Sequence, residues 1–155
     1  MTRGLIVIGF LLVVGSIDFA IYGKERVIRN GDTVYLELAP VDPRSLMQGD
    51  YMALRFRLAD AIDSWRIGSD RSRLRRAPLF VDERGVATLA DGESATLAIA
   101  FKIRNGQVWL GTNAYFFSEG EAGRFTGAQY GEFRVDPASG EAVLVGLRDN
   151  ALNPL

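Results

Sequence analysis

Alternation of apolar and polar positions dominates the chain from Asp32 onward. Val34, Leu36 and Leu38 alternate with Thr33, Tyr35 and Glu37, the pattern of a half-buried strand. Met52, Leu54, Phe56 and Leu58 alternate with Tyr51, Ala53, Arg55 and Arg57 in the same way. Leu79, Phe80 and Val81 lead into Asp82-Glu83-Arg84-Gly85, and residues 86–89 lead out; the glycine supplies the positive φ of a hairpin turn. Residues 95–104 and 107–111 flank Asn105-Gly106, a strong two-residue hairpin signal. Residues 130–135 and 142–147 flank a third turn, Asp136-Pro137-Ala138-Ser139-Gly140-Glu141. Helical spacing is confined to residues 58–67, where Leu58, Ile62 and Trp65 share a face and Gly68 closes the segment. Residues 32–155 therefore predict a compact antiparallel β domain with one or two short helices, mainly β within the α+β class.

The first thirty residues follow a different rule. Residues 4–23, GLIVIGFLLVVGSIDFAIYG, would span about 30 Å as a helix, one hydrocarbon core. The uninterrupted apolar run ends at Asp18. A cleaved signal peptide would use Arg3 and residues 5–14, but Asp18-Phe19-Ala20 puts a carboxylate where cleavage wants a small residue. A soluble core helix is a third reading. An uncleaved signal-anchor fits best, with Tyr22 at headgroup level. The division expected is an anchor over residues 1–23, a juxtamembrane linker over 24–31 and the β domain over 32–155. Asp18 either reaches interfacial water or pairs with Lys24, or else faces a partner helix. Charge leaves topology open. Lys24, Arg26 and Arg29 would keep the domain in the cytoplasm, while the short N-terminal tail before an export-like segment points outward.

Composition narrows the chemistry. The chain of 155 residues has no histidine and no cysteine. That excludes disulfides, zinc fingers, iron–sulfur clusters and catalysis by Cys–His or Ser–His pairs, and no metal or cofactor is expected. The net charge of −1 lacks the basic excess of a nucleic-acid binder. Charge is unevenly placed, however. Residues 1–76 hold 12 basic and 9 acidic side chains, and five of the basic ones fall between positions 66 and 76. Such a stretch is ordinarily a solvated face; beside an anchor it would also touch anionic headgroups. Acidic pairs such as Glu119 with Glu121 sit in turn-like surroundings, and residues 120–127, with three glycines, suit a mobile loop.

The most distinctive stretch joins the first two strands: Pro40-Val41-Asp42-Pro43-Arg44-Ser45-Leu46-Met47-Gln48-Gly49-Asp50-Tyr51. Structurally, Asp42 and Pro43 suit a type I turn, Gly49 a bulge, and Asp50 a cap or an ion pair with Arg44. Tyr51 and Arg55 would share the outer face of the strand that follows. Functionally, Asp42, Pro43, Arg44, Gly49, Asp50 and Tyr51 form a polar and aromatic patch suited to docking a partner or a small ligand. Gly49-Asp50-Tyr51-Met52-Ala53-Leu54-Arg55-Phe56 resembles the signature of the GDYXXLXY family of bacterial membrane-anchored proteins, with Phe56 where the signature ends in tyrosine. Residues 41–45, 110–117, 130–135 and 144–148 extend the resemblance over nearly the whole chain. It implies a single anchor in the bacterial inner membrane through residues 4–23, an extracytoplasmic domain and no established activity. It also implies the company of a multi-pass membrane protein.

These expectations point to a non-enzymatic accessory subunit of a membrane complex. One alternative is a signal peptidase-like hydrolase with a Ser–Lys dyad. Ser45 lies close before Gly49-Asp50, closer than in those proteases, and Lys102 would be its base. The other alternative is a periplasmic ligand-binding domain, with residues such as Asn113, Tyr115 and Phe116 lining a groove.

Overall fold

Twenty-nine residues rich in leucine, valine, isoleucine and other helix-compatible side chains open the chain as α1, Thr2–Asn30. This is a computed structural model, and it describes residues 2–39, 51–67, 74–90 and 94–155. Over Ile6–Asn30 the helix is long and apolar enough to cross a membrane. From Ile6 to Tyr22 its large apolar side chains, Leu12 and Phe19 among them, stand exposed. The helix does not end at residue 23. It continues through 24–30, so the expected linker is helical and continuous with the apolar segment. The reason is local: Lys24, Glu25, Arg26 and Arg29 all favour helix, and Arg29 pairs with Glu25 one turn back at 3.1 Å.

The rest of the chain is built from ten strands among the described residues. β1 (Asp32–Glu37) and β2 (Tyr51–Ala53) precede α2 (Arg57–Ile67). There follow β3 (Arg76–Val81), β4 (Ala87–Leu89), β5 (Leu97–Ala100), β6 (Lys102–Arg104), β7 (Gln107–Trp109), β8 (Ala114–Phe116), β9 (Tyr130–Val135) and β10 (Ala142–Arg148). All named pairings are antiparallel: β1-β9-β10, β4-β3-β5, β2-β8 and β6-β7. Bridges from Tyr35 to Val86 and from Leu38 to Phe56 tie the sheets together.

Each predicted hairpin forms. Asn105 and Gly106 both take positive φ, 51° and 80°, the conformation a two-residue turn requires. Two predicted strands are shortened. The ladder of residues 51–58 stops at Ala53, yet Met52, Leu54, Phe56 and Leu58 are all buried. The inward face continues through an extended link, where the Leu54 amide donates to the Asn113 carbonyl at 2.7 Å, and then into the first turn of α2. Residues 95–104 split at Phe101, which is buried while β5 joins β3 and β6 joins β7. Alternation reports the buried face and is blind to a change of partner strand.

One apolar cluster unites these elements. It includes Val34, Leu36, Leu54, Phe56, Ile62, Leu79, Ile99, Phe101, Leu110, Phe133 and Val135. α2 supplies Leu58 and Ile62, with Trp65 packed at the edge, as their spacing predicts. The glycine-rich segment is pinned rather than loose. Ala122–Phe125 forms a 3-10 turn, and Phe125 is buried between Tyr115 and Phe117, each with its ring centre 5.2 Å away.

Candidate functional site

The place where α1 meets the domain is built from small and apolar residues first. Val27 is 5% exposed, the one buried large side chain among the described residues of the helix. Gly31 lies flush against β9: a Cβ there would stand 2.6 Å from the Val27 carbonyl oxygen and 3.0 Å from both the amide nitrogen and the carbonyl oxygen of Val135. The Gly31 amide still donates to Val27 at 2.8 Å, and the Arg134 guanidinium reaches the Gly31 carbonyl at 3.4 Å. Around this contact the charges are matched. Lys24 forms an ion pair with Glu141 at the start of the last strand. The hydroxyl of Ser139 donates to the Asp136 carboxylate at 2.6 Å. That bond, with two backbone amides and the nearby Arg26, holds Asp136 below its ordinary carboxylate value. The pairing of Asp18 with Lys24, one of the sequence expectations, does not form: on a continuous helix the two positions lie about 120° apart around the axis and about 9 Å along it, and Lys24 pairs with Glu141 instead.

Beside the junction stands an aromatic ledge. β2 pairs with β8 so that Tyr51 faces Phe116 across the ladder, with ring centres 5.8 Å apart. Phe116 is 75% exposed, while its neighbours Tyr115 and Phe117 turn inward onto Phe125. A hollow of about 380 Å³ connects Phe116 with Lys24 and is floored by Gly111, Tyr115 and Leu144. The strand of the signature and the end of α1 thus border one surface. Tyr51 and Arg55 point outward, as the alternation predicts, and Arg55 is held by Asp60 of α2 at 2.9 Å. Asp42, Pro43, Arg44, Ser45, Gly49 and Asp50 lie outside the described residues.

Two further polar clusters are structural. Asp63 of α2 accepts from the Val108 amide at 3.1 Å and from Arg66 at 3.1 Å, tying the helix to β7 beneath a pocket of about 500 Å³. Glu132 and Arg148 pair in the central sheet with side chains only 11% and 21% exposed. The sequence reading missed this second pair. The register of β9 and β10 sets Arg148 opposite Tyr130, two positions from Glu132 on the same face, but only because the pairing shifts by one residue between Leu144 and Gly146; regular hairpin counting from the turn would put Arg148 on the other face. Lys102, the candidate base of a dyad, is exposed on β6.

A sequence model for the GDYXXLXY protein matches residues 13–147. The chain belongs to the GDYXXLXY family. Comparison with curated proteins finds no match, and comparison with solved structures finds none. In this GDYXXLXY protein the residue that departs from the signature, Phe56, is 3% exposed and packs edge-on against Phe133, ring centres 5.2 Å apart. A tyrosine hydroxyl at that position would need a buried partner, so phenylalanine here is a change of core packing and leaves the half-buried Tyr51 on the other face of the chain untouched.

Proposed function

We propose that this GDYXXLXY protein is a non-enzymatic accessory subunit of a bacterial membrane complex. Its α1 crosses the inner membrane once, and its β domain sits on the extracytoplasmic side. The observation that carries this reading is the single helix that runs from the apolar segment into the domain, with the aromatic ledge beside its docked end. A subunit that must present one surface to a membrane neighbour needs such a fixed posture, and a Tyr and Phe pair on a rigid ladder, with Phe116 exposed and Tyr51 half-buried beside it, is the residue chemistry of an interface anchor. Residues 42–50 lead directly into Tyr51 along the chain. Asp18, in the last turns of the apolar segment, would face the partner's helices.

The test is purification of the full-length chain from its host in mild detergent, with mass spectrometry of what accompanies it. A stoichiometric multi-pass protein is expected. Tyr51→Ala with Phe116→Ala should reduce its recovery at least tenfold, with the thermal unfolding of the domain unchanged. A chain that emerges alone, or a double variant that keeps its partner, overturns the reading.

A further inference from the structure

On the other flank of Lys24 lies a hollow of about 480 Å³ that the interaction reading does not use. Its lining includes Lys24, Arg75, Lys102 and Arg104, one acidic residue, Glu141, and the indole of Trp109. In a chain with a net charge of −1, four cations converging on one hollow is a local concentration that composition does not explain. The single acid is already matched by Lys24. The Arg104 guanidinium sits over Trp109, its carbon 4.3 Å from the ring centre. A cation held by an aromatic face keeps N–H groups for oxygen acceptors. Lys102 is exposed and has no acidic partner among the described residues. The floor is apolar, formed by Phe101 and Ala142, both buried.

We infer that this hollow holds the anionic headgroup of a phospholipid from the bilayer that α1 crosses. The inference rests on that reading of α1. Lys24 is the first charged residue after the apolar segment, so the hollow that it rims opens at headgroup depth. A phosphate diester offers the acceptor oxygens that Arg104 and Lys102 lack, the acyl chains descend beside α1, and the indole lies where interfacial aromatics settle. The volume falls within the roughly 300–1,000 Å³ of small-molecule sites. A water-soluble phosphate ester shares the headgroup chemistry but has no reason to prefer a site at the foot of a membrane helix.

The experiment uses the full-length chain in nanodiscs of phosphatidylglycerol and phosphatidylcholine in equal parts, released into native mass spectrometry. Retention of one phosphatidylglycerol in preference to phosphatidylcholine is expected. Lys102→Gln with Arg104→Gln should lower that retention roughly thirtyfold. Lys102→Glu alone should lower it with the Trp109 stack intact. Arg84→Gln, on the turn between β3 and β4, should leave it unchanged. Equal retention of the two lipids, or a double variant indistinguishable from the parent, overturns the proposal. So does binding of sn-glycerol 3-phosphate as tight as that of the lipid, which would make the site one for free phosphate esters. Flotation with phosphatidylcholine vesicles after alkaline washing reads the anchor independently. A chain that fails to float overturns the reading of α1 and the lipid proposal together, whereas one that floats without lipid preference overturns the lipid proposal alone.

Discussion

Replacing Gly31 by alanine adds one methyl group at the seam between α1 and the domain. The atoms it meets are all backbone: the Val27 oxygen at 2.6 Å, and the Val135 nitrogen and oxygen at 3.0 Å. None of them can rotate away. Restoring ordinary contact at 3.4 Å or more requires the backbone at position 31 to draw away from the Val27 carbonyl of its own helix by about 0.8 Å and from Val135 of β9 by about 0.4 Å. That movement loosens the Gly31 to Val27 hydrogen bond of 2.8 Å and lifts Val27 from its buried seat. Overpacking of this kind costs about 1–3 kcal/mol. Gly31 has no positive φ, so alanine suffers no backbone strain and gains about 0.4–1 kcal/mol by restricting the unfolded chain. The clash wins, with a net loss of about 1–2 kcal/mol. For a domain of this size that corresponds to a fall in Tm of roughly 4–8 °C. Trp65 and Trp109 report it by fluorescence in the full-length, detergent-solubilised chain. Gly127→Ala is the control, since a Cβ there meets nothing within 4 Å and its φ is not positive. Because the chain has no cysteine, Lys24→Cys with Glu141→Cys gives one unambiguous pair of thiols for a flexible bifunctional maleimide across the seam, whose crosslinking Gly31→Ala should slow. A Gly31→Ala protein that melts within about 1 °C of the Gly127→Ala control would refute the packing argument.

Glu132→Ala leaves the Arg148 guanidinium half-enclosed without its carboxylate, and should cost about 2–4 kcal/mol in urea unfolding at unchanged m. Glu132→Leu with Arg148→Met should recover most of that loss; a double variant no better than the single would show the pair to be irreplaceable. The pH dependence follows from three carboxylates held below their ordinary values. Glu121 is lowered chiefly by Arg124, Asp136 by Ser139 and Asp149 by Asn153. Since the folded values are lower than the unfolded ones, these groups stabilise the fold fully above the ordinary range of 3.8 to 4.5, and the contribution is lost as pH falls through that range and below it. Tm should hold from pH 7 to about 5 and decline below 4, and Asp136→Asn should flatten the decline; a level Tm down to pH 3 contradicts this.

Much of the domain was legible because its signals are local. The Asn105-Gly106 turn needs two positive φ values that few other pairs adopt, and Leu58, Ile62 and Trp65 need only helical spacing to share a face. What the sequence concealed depends on partners distant along the chain. Alternation through residues 95–104 reads the same whether Phe101 continues a strand or marks its transfer from β3 to β7. Three glycines between 120 and 127 read as mobility, while the decisive residue is Phe125, which finds Tyr115 and Phe117 only in the folded chain. The candidate site was legible in part. Tyr51 was found outward as predicted, but its companion Phe116 lies 65 positions later and is brought to it by strand register alone. The basic hollow takes Lys24 from α1, Arg75 from the residue before β3, and Lys102 and Arg104 from β6, so only its last two members are neighbours in the sequence.

The unbroken helix also fixes an angle. Along α1 each residue turns the helix by about 100°, and Val27 and Gly31 clamp one azimuth of it to β9. Every side chain further up, Asp18 included, therefore has a set bearing relative to Tyr51, Phe116 and the hollow under Lys24. Inserting one residue between Tyr22 and Lys24 would swing the apolar segment by about 100° and raise it about 1.5 Å while the domain stayed intact. Inserting four would bring it nearly back into phase. The compass bearing of the apolar segment, and with it the direction in which Asp18 points, is written in the number of residues between the apolar run and Gly31.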